Sequence, residues 1–115
     1  MKAASAKAKG RRSAKQLQRL LLEAFPELEA GDLIITPSGV NGPDLMLSPR
    51  AKKVLPYDFE VKNVEKLNVW QALNQLEKRK NSNSPVLVFR RNRSPMYACM
   101  PIEIFIDLIA KGQNR

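Results

Sequence analysis

Asp58, Glu60 and Lys62 occupy alternate positions in the segment 57–63, whose other members are mostly apolar. Successive side chains of a β-strand point to opposite faces, so a strand here would place two carboxylates and an ammonium group on one face. Asp44 follows a Gly-Pro pair upstream and opens a second, shorter strand. If the two strands pair, the three carboxylates and the lysine converge into a site for a hard divalent cation, which prefers oxygen ligands.

The remaining pattern predicts an α/β domain in the order α-β-β-β-α-β-β-α, with a mixed central sheet flanked by helices. We expect helices from Ser13, as N-cap, to about residue 25, at 69–80 and from Pro101 to about Gly112. The expected strands are 32–36, 44–47, 57–63, 85–89 and 96–100, and 49–56 is expected to be a basic connection. Pro101, at a first helical position, and the apolar residues Ile102, Phe105, Ile106 and Ile109 mark the C-terminal helix.

Composition narrows the class of function. The chain has 115 residues, enough for one domain, and a formal net charge of +9, which predicts a polyanionic partner, most often nucleic acid. It contains no histidine, which excludes histidine-based triads and most zinc sites. The single cysteine, Cys99, cannot form an intrachain disulfide, and this fits a reducing cytoplasm. No apolar run is long enough to span a membrane. Residues 1–10 are expected to form a basic flexible arm, and 11–112 the folded domain.

Pro43-Asp44 followed by Glu60-x-Lys62 resembles the motif of the PD-(D/E)XK nuclease superfamily, and the element order resembles its restriction-endonuclease-like core. Between residues 9 and 110 the chain is most similar to small Holliday-junction-resolvase-like nucleases of archaea and bacteriophages. That closer resemblance is carried by Lys9-Gly10, Ser38-Gly39, Phe59-Glu60-Val61-Lys62 and Pro85-Val86-Leu87-Val88. Where archaeal resolvases carry a metal-binding glutamate early in the first helix, this chain has Ala14.

The resemblance implies a Mg²⁺-dependent DNA endonuclease, with Mn²⁺ as a substitute, that hydrolyses phosphodiester bonds in Holliday junctions or other branched DNA. Asp44, Glu60 and the backbone carbonyl of Val61 would hold the metal ion. Lys62 would activate water or stabilise charge in the transition state. Gln75, from the following helix, would contact the attacking water or the phosphate. Asp58 is either a further ligand or a residue at the exposed end of the strand.

Basic and polar residues on several segments are expected to contact DNA phosphates and to position the protein rather than read bases. They are Lys9, Arg11, Arg12, Lys15, Ser38, Lys78 and Arg79. Cutting two strands requires two sites, so we expect a symmetric homodimer acting in the cytoplasm, that of the host if the protein is phage-encoded. Three alternatives remain open: a sequence-specific endonuclease of homing or phage type, a non-catalytic nucleic-acid-binding protein, and a solvated strand with a weak ion pair.

Overall fold

The computed structural model describes residues 3–37, 43–79 and 83–113. They form an α/β fold in which a mixed sheet is flanked by helices, so the predicted class is confirmed. In chain order the elements are α1 (Ala3–Ala24), a 3₁₀ turn (Ala30–Asp32), β1 (Leu33–Ile35), β2 (Leu45–Leu47), α2 (Pro49–Val54), β3 (Tyr57–Asn63), α3 (Val69–Glu77), β4 (Ser84–Arg90), β5 (Tyr97–Cys99) and α4 (Ile102–Gln113). No helix in these three ranges combines the length and apolar character needed to cross a membrane.

The strands form two ladders that meet at Asp44. β1 pairs antiparallel with β2, while β3 pairs parallel with β4, and β4 pairs antiparallel with β5. The parallel pair needs a crossover connection, which α3 supplies. The ladders are joined where the backbone N–H of Asp44 donates to the carbonyl of Phe59 at 3.0 Å. The end of β2 is therefore fixed beside the middle of β3.

Two helices cover opposite faces of β3 and β4. The cluster under α1 contains Ala14, Leu17, Phe59, Val61, Val86 and Val88. The cluster under α3 contains Ala72, Leu76 and Leu87. Because side chains alternate along a strand, burial of Phe59 and Val61 beneath α1 turns Glu60 and Lys62 toward the face that carries α3.

Two local predictions differ from the structure. α1 begins at Ala3 and not after Ser13, because the alanine- and lysine-rich start has high helix propensity. Ser13 therefore caps nothing: it is buried within α1, and its hydroxyl accepts a hydrogen bond from Asn63 at 2.8 Å. The expected connection 49–56 contains α2, whose N-cap hydroxyl, on Ser48, accepts from the Ala51 N–H at 3.0 Å. A serine cap followed by proline is a helix-start signal that the sequence already contained.

α4 forms near its predicted position, and its apolar stripe is exposed. The exposed fractions of Ile102, Phe105, Ile106 and Ile109 are 63%, 48%, 56% and 44%. Leu108, on another side of the helix, borders an apolar groove of about 320 Å³ whose walls include Leu20, Met96, Tyr97 and Met100. Helical periodicity identified the apolar face correctly, but periodicity cannot say whether another element of the same chain covers it.

Candidate active site

Asp44 is held in place by backbone hydrogen bonds on both sides. Its N–H donates to the Phe59 carbonyl at 3.0 Å, and its carbonyl accepts from the Thr36 N–H at 3.0 Å. One carboxylate oxygen, Oδ2, accepts the Val61 N–H at 2.5 Å. These contacts fix the Asp44 side chain against the edge of β3, where the sequence predicted it to lie.

Glu60 lies close to Asp44 at the junction of the two ladders, so that their carboxyl groups interact. Burial, together with this hydrogen bond and the charge of Asp44, raises the pKa of Glu60 to about 8, although Arg79 and Lys62 act in the opposite direction. Two adjacent carboxyl groups that cannot both ionise freely retain a proton between them. Glu60 therefore keeps its proton at neutral pH in the absence of another cation.

Arg79 lies immediately after α3 and bridges two acidic residues of β3. Its guanidinium contacts the carboxylate of Asp58 at 2.8 Å and that of Glu60 at 3.2 Å. Asp58 is only 3% exposed, so this arginine balances a buried charge. The sequence placed Arg79 among the DNA contacts and Asp58 either in the metal cluster or at an exposed strand end. The structure brings the two together instead.

The remaining predicted groups lie around the Asp44–Glu60 pair. The N–H and C=O of a strand residue point to the same edge, so the Val61 carbonyl, like its N–H, points toward Asp44. Lys62 is half-buried on the same face as Glu60, and Gln75 is exposed on α3, one helical turn before Arg79.

The donor set of this site consists of two carboxylates and one backbone carbonyl. In the ranges that the structure describes, no group of three or more acidic or cysteine side chains gathers, so the expected convergence of three carboxylates does not form. Mg²⁺ accepts such a set, because it commonly takes one or two protein carboxylates and keeps several waters. The residues at Asp44 and Glu60 therefore fit the ion that the sequence implied.

The predicted DNA contacts are dispersed over the fold. Arg11, Arg12 and Lys15 are exposed on α1, and Lys78 is exposed just after α3. Ser38 lies outside the described residues. Ala14 lies on the buried side of α1, against the face of β3 opposite to Glu60, so a longer side chain there would enter the core.

A basic cleft of about 250 Å³, which sequence reasoning missed, lies between α1 and the C-terminal ends of β3 and β4. Its walls are formed by Lys9, Arg12, Ser13, Gln16, Asn63, Arg90, Asn92 and Arg93. The basic turn at 90–93 was visible in the sequence, but nothing local indicated that it faces the middle of α1. We refer to this group of residues as the basic cleft.

Comparison with known proteins provides no relative for this chain. No family model, curated protein or solved structure matches it. A functional assignment therefore depends on the residues and contacts described above.

Proposed function

We propose that this protein is a Mg²⁺-dependent DNA endonuclease whose catalytic residues are Asp44, Glu60 and Lys62. The observation that carries the proposal is the carboxyl pair of Asp44 and Glu60, in which the pKa of Glu60 is raised to about 8. The repulsion between two neighbouring carboxylates is lowered when a cation takes the place of the proton. Lys62, on the same strand face, adds the positive group expected beside a scissile phosphate.

Asp44, Glu60 and the Val61 carbonyl would hold Mg²⁺, or Mn²⁺ in its place. When bound, the ion neutralises charge on the phosphate and makes a water molecule more acidic. The chain's own contributions are orientation and charge. The Val61 N–H keeps the Asp44 carboxylate in one orientation, and Lys62 stabilises the developing negative charge or accepts a proton from water. Gln75, which is exposed on α3, would contact the phosphate.

Branched DNA, such as a Holliday junction, is the substrate that we propose. The resemblance to junction-resolving nucleases and to the restriction-endonuclease-like core supports it, as does the net charge of +9. Arg11, Arg12 and Lys15 present exposed positive charge along α1 for the phosphates of one arm. A DNA substrate and one unpaired cysteine fit action in the cytoplasm.

Cleavage of supercoiled plasmid and of a synthetic four-way junction, with Mg²⁺ or with EDTA, tests this proposal. Asp44→Asn, Glu60→Gln and Lys62→Ala should each abolish cleavage and preserve DNA binding. Glu65→Gln and Lys66→Ala, at exposed positions just after β3, are matched controls that should cleave normally. Normal cleavage by Glu60→Gln would contradict the proposed site.

The pattern of products separates the possible substrates. Paired symmetric nicks in the junction support a resolvase. A single cut site in phage-sized DNA supports the sequence-specific alternative.

One observation favours a second candidate, a non-catalytic DNA-binding protein. The guanidinium of Arg79 lies 3.2 Å from Glu60 and already supplies positive charge beside the carboxyl pair. If this charge replaces that of a metal ion, the protein binds junction DNA equally well in Mg²⁺ and EDTA and cuts none of it. Titration with Mn²⁺, followed by its paramagnetic effect on NMR signals of β3, distinguishes the two candidates. Signal loss around Glu60 supports the nuclease.

We also propose that the chain acts as a homodimer joined through α4, which would supply two sites for two strands. The exposed apolar side chains of α4 continue to the groove bordered by Leu20, Tyr97 and Leu108. Five apolar side chains of α4, together with Leu20 and Tyr97, each expose on the order of 100 Å². They form a patch of about 700 Å², close to the roughly 800 Å² that each partner buries in a stable complex. Patches of this size are uncommon on monomers.

Sedimentation equilibrium of the full chain tests the dimer. Phe105→Glu should convert a dimer into a monomer, because it places a charge within the apolar patch of α4. Trp70→Glu is the matched control, since Trp70 is 83% exposed but lies on α3. A monomeric wild-type chain, or dissociation by Trp70→Glu alone, would refute α4 as the interface.

A further inference from the structure

The basic cleft is lined by positively charged side chains, which favour the binding of an anion. Lys9, Arg12, Arg90 and Arg93 line it, and no acidic residue is among the described residues of its wall. Like charges held close together repel one another, and this cost is removed when an anion enters. The cleft lies on the α1 side of β3, while the Asp44–Glu60 pair faces α3, so the two sites are distinct.

Burial and hydrogen bonds order the side chains of the basic cleft. Lys9 is only 7% exposed, although its side chain carries a charge. The amide nitrogen of Asn63 donates to the Ser13 hydroxyl at 2.8 Å and to the Lys9 carbonyl at 3.4 Å, which ties α1 to the end of β3. Gln16 accepts a hydrogen bond from Arg90 at 2.8 Å and so orients that guanidinium. Several cleft residues are thus held in place before any ligand binds.

Arg93 provides a second, independent indication. Its φ of 62° is the only positive value among the described non-glycine residues. A long side chain in this left-handed region is strained, and such strain is concentrated at functional sites. The turn is held by Ser94, whose hydroxyl donates to the Arg91 carbonyl at 3.0 Å and accepts from the Arg91 N–H at 3.0 Å. This backbone puts an arginine, where glycine or asparagine is usual, into the wall of the basic cleft.

The cleft and the carboxyl pair lie on opposite faces of one sheet. Asn63, in the cleft, follows Glu60 by three residues on β3, and its side chain points to the face that α1 covers. Asn63 and Arg90 are in register, so the cleft lies at the shared end of β3 and β4.

We infer that the basic cleft binds a backbone phosphate of the DNA that the Asp44–Glu60 site cuts, away from the scissile bond. This inference relies on the proposed nuclease function for the identity of the nucleic acid. The cleft acts as a positioning site: it fixes the protein on the DNA and does not contact the reacting phosphate. Lys9 and Arg93 make the main charged contacts, and Arg90 is oriented for a third by Gln16.

The test measures DNA binding without cleavage. Binding of a fluorescein-labelled duplex and four-way junction is followed by anisotropy in EDTA over a series of salt concentrations. Lys9→Gln and Arg93→Ala should each weaken binding several-fold and lower the slope of log K against log salt by about 0.9, the value for one lost phosphate contact. The matched controls are Lys53→Gln on α2 and Arg19→Ala on α1, both exposed and outside the cleft, which should change the slope much less.

Arg93→Ala removes an exposed side chain, so it keeps the test valid if the buried substitution Lys9→Gln impairs folding. Equal slopes for Arg93→Ala and Arg19→Ala would overturn the inference that the cleft binds phosphate. The same variants are then assayed for plasmid cleavage with Mg²⁺. If the cleft variants lower the slope but wild type never cleaves, the nuclease proposal fails and the phosphate site stands. If wild type cleaves but Arg93→Ala binds DNA like its control, the nuclease proposal is supported and the phosphate site in the cleft is refuted.

Discussion

Replacement of Glu60 by glutamine should stabilise the metal-free protein at pH 8, although it removes a proposed catalytic residue. The pKa of Glu60 is raised from 4.5 to about 8 by burial and by the neighbouring Asp44. Below about pH 4.5 the group is protonated in both the folded and the unfolded chain. As the pH rises from there to about 8, only the unfolded chain loses the proton, so the free energy of unfolding falls. A glutamine carries no such penalty and can still donate to Asp44.

The magnitude follows from the two pKa values and from the exposure of the pair. A difference of this size would be worth about 5 kcal/mol without any screening. Because Glu60 is partly open to solvent and Arg79 lies 3.2 Å away, we expect ~1–2 kcal/mol. For a chain of this length that corresponds to a rise in Tm of about 3–8 °C.

Thermal unfolding in EDTA at pH 5 and pH 8 measures this effect. Glu60→Gln should melt above wild type at pH 8, and the two should nearly coincide at pH 5. Glu65→Gln, at an exposed position just after β3, should have the same Tm as wild type at both pH values. A difference between Glu60→Gln and wild type that is the same at pH 5 and pH 8 would refute the carboxyl pair as the source.

Three further predictions concern the metal site, the Arg79–Asp58 ion pair and the hydrophobic core. At 100 times its Kd, Mn²⁺ should raise the unfolding free energy of wild type at pH 8 by about 2.7 kcal/mol; an equal gain in Asp44→Asn would place the ion elsewhere. Arg79→Ala should cost ~3–5 kcal/mol in urea unfolding because it leaves the buried Asp58 carboxylate without its guanidinium, whereas Lys78→Ala should cost less than about 0.5 kcal/mol. Similar losses for both would show that the ion pair contributes little. Leu87→Ala, at a position with 0% exposure, should cost ~2–5 kcal/mol by the same measurement, and a loss below about 1 kcal/mol would contradict its central place between β4 and α3.

The sequence alone determined those features that depend on local periodicity. The period of two along 57–63 is a property of any strand, so it placed Glu60 and Lys62 on one face and Phe59 on the other without knowledge of the fold. The α/β class and nearly all of the helices and strands followed from the same kind of pattern. Helix α2 was missed even though its start signal at Ser48 was present. The nuclease activity, the metal ion and the DNA partner remain predictions.

Only the tertiary structure decided which charges meet. Asp58 and Glu60 have the same chemistry and lie on the same face, but Arg79, just after α3, pairs most closely with Asp58, while Asp44 raises the pKa of Glu60. Lys9 and Arg93 are far apart in the chain and share one cleft because Asn63 holds α1 against β3. Periodicity assigns a side chain to a face, whereas the partner across that face is set by packing between distant segments. For this reason the sequence alone identified the strand that carries Glu60 and Lys62 and placed Asp44 beside it, and the fold was needed to show that Arg79 pairs with Asp58 and to identify the basic cleft.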